Sequence, residues 1–158
     1  KSLIDEGEVA FGLEGSDYSK KAGRAEWATI PDSLATADIG RPFLVLERLP
    51  DGGARIATFD VVTCWEVMEH LPEDRVLVLM DNVADHLAQD GWWVMSVSQQ
   101  HGEHHVTVRD MPWWTALFAR HGWIHHPEVR ANWTEDDWVR GPKQNAPESF
   151  HLVLRKEY

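Results

Sequence analysis

Two sets of side chains in this sequence stand where a ligand could be met. Cys64, Trp65 and Glu66 close an apolar run that begins at Phe59, and Ser98, Gln99 and Gln100 close a second run that begins at Trp92. Both runs read as buried strands, and the segment between them reads as a helix. Strands joined in this way form a right-handed crossover of a parallel sheet. Open parallel sheets bind ligands outside the carboxyl ends of their strands, which singles out these six residues. His101-Gly-Glu-His-His105 follows at once. Imidazole titrates near neutrality, so His104 and His105 suit a general base or an acceptor ligand, and Glu103 stands beside them. His101, His104, His105, His121, His125 and His126 are numerous enough to raise the question of a metal. None is expected: the loop is not a helical His-Glu-x-x-His motif and no cysteine ligand accompanies it. Cys64, the only cysteine, sits at a buried strand end and reads as packing rather than as a nucleophile. Gly52-Gly53 lies in a turn without the Lys-Ser/Thr of a phosphate loop.

The elements that must position these groups alternate along the chain. Ser2 to Gly7 reads as a helix end closed by glycine, and Val9 to Glu14 as a buried strand. Ser16 or Asp17 caps a helix that runs to about Trp27. Leu34 to Asp38 is a third strand. Phe43 to Leu49 and Ala54 to Thr58 flank Pro50-Asp-Gly-Gly53, a hairpin signal. Phe59 to Cys64 is expected to be a central strand. The helix from Pro72 to Leu87 has proline in its first turn, and Val76, Leu79, Met80, Val83 and Leu87 recur every three or four residues, which turns that face to the sheet. A glycine turn leads to the strand Trp92 to Ser98, and Gln99 to Val108 is a polar loop. Asp110 caps a helix from Met111 to His121. Gly122 leads into a short strand, Ala131 to Pro147 is a polar loop with a short helix at Glu135 to Val139, and Ser149 to Arg155 is a last strand.

At 158 residues the length suits one domain, 1–158. The formal charge of −11 gives a surface that repels polyphosphate, so nucleic acid is not an expected partner. No apolar run reaches the ~18 residues of a membrane span. No signal-like opening is present, and a single cysteine allows no internal disulfide. These features suit a cytoplasmic protein. Trp113, Trp114, Trp123, Trp133 and Trp138 crowd the second half; most read as packing residues, and those outside the core could line a pocket.

Phe59 to Leu71, with its Phe-Asp-Val-Val and Glu-Val-Met-Glu-His-Leu, and Leu87 to Ser98, with its Asp-Gly-Trp-Trp-Val-Met-Ser-Val-Ser, resemble the class I S-adenosylmethionine-dependent methyltransferases of small molecules or sugars. The resemblance covers nearly the whole chain in order. It implies an α/β, Rossmann-like three-layer fold with a mostly parallel sheet and a hairpin inserted near 43–58. It implies S-adenosylmethionine as cofactor and S-adenosylhomocysteine as product. In the family an acid closing the second strand accepts hydrogen bonds from both ribose hydroxyls, a place matched by Glu14 with Gly15 next to it. Asp38 and Ile39 match the adenine contacts. Cys64, Trp65 and Glu66 would lie against the methionine portion and the sulfonium, where an aromatic face or a carboxylate is favourable. Glu69 and His70 would be structural, with His70 capping or packing. The loop after the next strand meets the acceptor, which makes His104 and His105 the candidate bases.

The chain departs from the family at its front. The first strand and its Asp-x-Gly-x-Gly loop have no counterpart in the eight residues before Val9. Such a chain would be a fragment, would take the strand from a partner polypeptide or a second copy, or would have lost cofactor binding. The resemblance thus implies methyl transfer to a small-molecule or glycan hydroxyl. The alternative is a catalytically silent module of the same fold that binds a partner protein.

Overall fold

The structure is a computed structural model that describes residues 2–131 and 149–157. It divides into two compact units, Lys1–Phe43 and Leu44–Tyr158.

The first unit opens with α1 (Ser2–Asp5), closed by Gly7 at φ 90°. β1 (Gly12–Glu14) and β2 (Leu34–Thr36) pair in parallel, Glu14 opposite Thr36. Between them lie α2 (Tyr18–Ala22) and a 3-10 turn at Ala25–Ala28. The helix expected to reach Trp27 stops instead at Gly23, which adopts φ 57° and turns its N–H back to the Lys20 carbonyl. Glycine enters this left-handed region without a Cβ penalty, and that ends the helix. The buried strand expected over Val9 to Glu14 is also shorter. Val9 is 95 % exposed, because only Gly12–Glu14 finds a pairing partner among the described residues.

The second unit begins with an antiparallel hairpin, β3 (Leu46–Arg48) and β4 (Ala54–Ile56). Its turn is held by Asp51 Oδ1, which accepts from the Gly53 N–H at 2.9 Å, with Gly52 at φ 86°. β5 (Phe59–Trp65), β6 (Leu87–Val97), β7 (Trp123–His125) and β8 (Phe150–Lys156) form a sheet of order β5-β6-β8-β7. β5 and β6 are parallel and joined through α3 (Glu73–His86), while β8 is antiparallel to both β6 and β7. The expectation of a mostly parallel sheet is therefore corrected: this sheet is mixed. β8 lies between β6 and β7 and runs against both, which breaks the parallel run.

The central strand is also not the expected one. β5 pairs only with β6 among the described residues, and Val61 is 48 % exposed. β6 and β8 occupy the middle. Trp93 to Val97 and Leu152 to Leu154 are buried without alternation, the mark of strands covered on both faces. Trp93 packs edge-on against Phe118 and Trp123, with ring centroids 5.3 and 5.0 Å apart. All five residues of the expected α3 face are buried. His86, also buried, ties the helix to the hairpin. Its Nε2 accepts from the Val45 N–H at 2.8 Å, so its Nδ1 carries the proton and donates to the Asn82 carbonyl at 2.6 Å.

α3 passes straight into β6, and the register jumps from Phe59 opposite Leu87 to Val61 opposite Trp92. Gly91 sits in this excursion. A Cβ there would meet the Leu87 side chain at 2.9 Å and the Ala88 carbonyl at 3.0 Å.

α4 (Met111–Arg120) starts where Asp110 Oδ1 accepts from the Trp113 N–H at 3.0 Å. Asp110→Ala is expected to cost about 1 kcal/mol, seen as a lower urea midpoint at unchanged slope. Trp114 and Trp123 are buried, while Trp133, Trp138 and the helix expected at Glu135 to Val139 lie outside the described residues. α5 (Pro127–Ala131) is an element the sequence did not suggest. Among the described residues no helix is long and apolar enough to cross a membrane.

Candidate active site

At the carboxyl end of β5 the backbone takes an unusual course. Glu66 has φ 52°, a left-handed conformation that costs a non-glycine residue about 1 kcal/mol or more and persists only where its surroundings impose it. Here the Glu66 N–H is held by Ser96, through its carbonyl at 3.1 Å and its Oγ at 3.0 Å. Glu66 Oε2 accepts from Ser149 Oγ at 2.9 Å. Its Oε1 is buried and has no hydrogen-bond partner among the described residues. Next to it, burial pushes the Cys64 thiol up to about 11, so it stays protonated near neutrality and is a poor nucleophile. The Trp65 ring meets His151 edge-on at 6.3 Å.

A 3-10 turn at Met68–His70 follows. It buries Glu69, whose Oε1 accepts from the Ser98 N–H at 3.1 Å. The Glu69 carbonyl accepts from the N–H groups of Val106 and Thr107. Thr107 Oγ1 donates to the Leu71 carbonyl at 2.7 Å. The histidine loop is thereby docked on the turn, joining the ends of β5 and β6. Burial raises the Glu69 carboxyl above its ordinary range, and the Glu66 charge acts in the same direction, while backbone N–H groups and His70 oppose them.

His70 and His105 meet edge-on, centroids 4.6 Å apart. His70 Nδ1 lies 2.9 Å from the His104 carbonyl, and His105 Nδ1 lies 2.6 Å from the Gln100 carbonyl. The two candidate bases are thus separated. His104 offers its carbonyl to His70 and has an exposed side chain, whereas the His105 ring is half-buried against His70. Glu69 and His70, read as structural from the sequence, stand beside it. The signal was present in Glu66-x-x-Glu69-His70, but nothing in the chain spacing ties that turn to His105.

Glu14, Gly15, Asp38 and Ile39 belong to the first unit. Parallel pairing of β1 with β2 sets Glu14 and Asp38 after adjacent strands, and the Ala37 N–H donates to the Glu14 carbonyl at 3.0 Å. The Glu14 carboxylate accepts a hydrogen bond through Oε2 from the indole N–H of Trp27, a buried side chain. Asp38 is engaged in its own turn: Oδ1 accepts from the Gly40 N–H at 3.1 Å, and Oδ2 pairs with Arg41 Nε at 3.1 Å.

The sequence model of the family described as Methyltransferase domain matches residues 6–134. The chain belongs to this family. It is a class I S-adenosylmethionine-dependent methyltransferase domain, as the strand-end motifs implied. Among curated proteins no sequence match is found. Among solved structures, the glycopeptide N-methyltransferase MtfA superposes with a TM-score of 0.66 at 14 % identity, over 99 % of this chain and 77 % of that one. MtfA has been solved in complex with S-adenosyl-L-methionine and with S-adenosyl-L-homocysteine. A TehB-like S-adenosylmethionine-dependent methyltransferase from Corynebacterium glutamicum superposes with a TM-score of 0.58 at 18 % identity, over 99 % of this chain and 72 % of that one. At these identities the likeness is one of fold.

Proposed function

We propose that this methyltransferase domain binds S-adenosylmethionine and transfers its methyl group to a hydroxyl of a small molecule or glycan. The observation that carries the reading is the pair of acids following adjacent parallel strands, with Glu14 anchored by Trp27. Such a carboxylate can take both donors of a ribose cis-diol. Gly15 leaves the backbone beside it open, with nothing within 4 Å of where a Cβ would stand. Asp38 and Ile39 supply the adenine contacts, and Cys64, Trp65 and Glu66 the wall around the methionine portion.

Methyl transfer is an in-line displacement. The acceptor oxygen bonds to the methyl carbon, the carbon–sulfur bond breaks, and its electron pair stays on sulfur as S-adenosylhomocysteine forms. The domain's task is alignment and removal of the acceptor proton. His104 and His105 are the groups proposed to take that proton.

Calorimetric titration of S-adenosylhomocysteine tests the cofactor part. One saturable site per chain is the expected result. A folded chain that binds neither S-adenosylhomocysteine nor S-adenosylmethionine would overturn the reading for this chain.

A further inference from the structure

Glu69, His70 and His105 each direct one potential ligand atom to within 4.8 Å of the other two. We propose that these three side chains form a binding site for a divalent first-row transition ion. An ion with bonds of about 2.0–2.1 Å holds neighbouring ligand atoms roughly 3.3 Å apart. The three atoms close on it by shifts below about 1 Å, within the reach of side-chain rotation.

Two independent features point to an ion. Glu69 Oε2 is buried, belongs to a fully buried residue, and has no hydrogen-bond partner among the described residues. Its sister oxygen is fixed by the Ser98 N–H, so the orphaned oxygen is held in a set direction. A buried carboxylate oxygen without a donor is unfavourable unless something positive meets it.

The second feature is the state of the two imidazoles. A carbonyl can only accept, so His70 Nδ1 and His105 Nδ1, each against a backbone carbonyl, carry their protons. In the neutral rings the lone pair therefore stands on Nε2. A ring N–H to a carbonyl is the arrangement that orients metal-bound histidines and raises their basicity. Two imidazoles and one carboxylate suit the borderline divalent ions of this row better than magnesium or calcium. In sequence the histidine loop lacks a helical zinc motif. The site instead draws its ligands from a turn and a loop brought together by the Glu69 carbonyl bonds to Val106 and Thr107.

Three protein ligands leave coordination positions open for oxygen donors. One imidazole nitrogen cannot hold an ion and take a proton together, so with the ion bound His105 serves as a ligand and the proposed base is His104 alone. Any role of the ion in lowering the pKa of an acceptor hydroxyl rests on the proposed methyl transfer. The site itself does not, and it is tested without cofactor or acceptor.

The experiment is a titration of the full chain with cobalt(II) chloride, followed by calorimetry and by visible absorption of the bound ion. The expected result is one saturable site per chain with a ligand-field spectrum. His105→Asn and Glu69→Gln should each weaken it tenfold or more, and His121→Asn, outside the cluster, should change it less than twofold. Absence of saturable binding would overturn the proposal. So would unchanged affinity in His105→Asn, or an equal loss in His121→Asn. His105 lies on a surface loop, so its variant decides the matter even if Glu69→Gln fails to fold.

Discussion

Glu14→Ala is expected to lower S-adenosylhomocysteine affinity by roughly 10- to 100-fold. Hydrogen bonds to a charged group contribute about 1.5–3 kcal/mol, and each 1.4 kcal/mol is about tenfold in affinity. The size follows from anchoring as well as charge. The buried Trp27 indole N–H binds one carboxylate oxygen, which limits side-chain rotation before any ligand arrives and reduces the entropy lost on binding. Trp27→Phe keeps the carboxylate and removes only that anchor, so its loss should be smaller, about tenfold or less. Asp38→Ala is expected to matter less than Glu14→Ala, because Gly40 and Arg41 already occupy the Asp38 carboxylate oxygens. Calorimetry on the three variants gives the ranking directly. If Glu14→Ala binds like the parent chain, the ribose assignment is wrong even if the domain binds the cofactor.

The largest expected loss of stability is at Trp93. Trp93→Ala should cost about 3–5 kcal/mol, the range for an aromatic side chain deleted from a core. Trp93 is fully buried on the inner strand β6, and both Phe118 and Trp123 lean on its ring. Removing it leaves a cavity that two helix and strand neighbours cannot both collapse into. Because small domains are stable by only about 5–15 kcal/mol, much of the population should be unfolded at mild denaturant. Trp93→Phe should cost less, since it keeps an aromatic ring between Phe118 and Trp123. Trp113 is the contrast. It is only half-buried, touches Trp114 edge-on at 5.0 Å and lies under Arg109, so Trp113→Ala should cost about 1 kcal/mol. Urea unfolding followed by circular dichroism separates the three, and equal midpoints for Trp93→Ala and Trp113→Ala would refute the placement of Trp93 at the core.

Much of this was legible in the chain because it is encoded over a few neighbouring residues. The α3 face from Val76 to Leu87, the Asp110 cap, the Pro50 to Gly53 turn and the strand-end motif at Glu66-x-x-Glu69-His70 depend on local spacing, and local spacing is what a sequence displays. The family was readable for the same reason. Features that depend on what lies beside an element are not written in local spacing. The run Phe59 to Cys64 is apolar enough for a central strand, yet among the described residues it pairs only with β6, and Val61 is left half-exposed. The run from Val9 is apolar too, but Val9 is exposed, because among the described residues only Gly12–Glu14 meets a neighbouring strand. Gly23 ends α2 because its backbone enters the left-handed region, and a glycine within a helical pattern does not by itself show that.

The sequence by itself determined the alternation of strands and helices, the methyltransferase family and the short list of acids and histidines able to act. Tertiary structure decided which of those groups meet. Glu69 and His105 are 36 residues apart, too far for any periodicity to join them. They come together because β5 and β6 end side by side and because the loop after β6 bonds back to the turn after β5. Chemistry at a strand end is set by distances across the sheet, and those depend on strand order and register, which no single stretch of chain records.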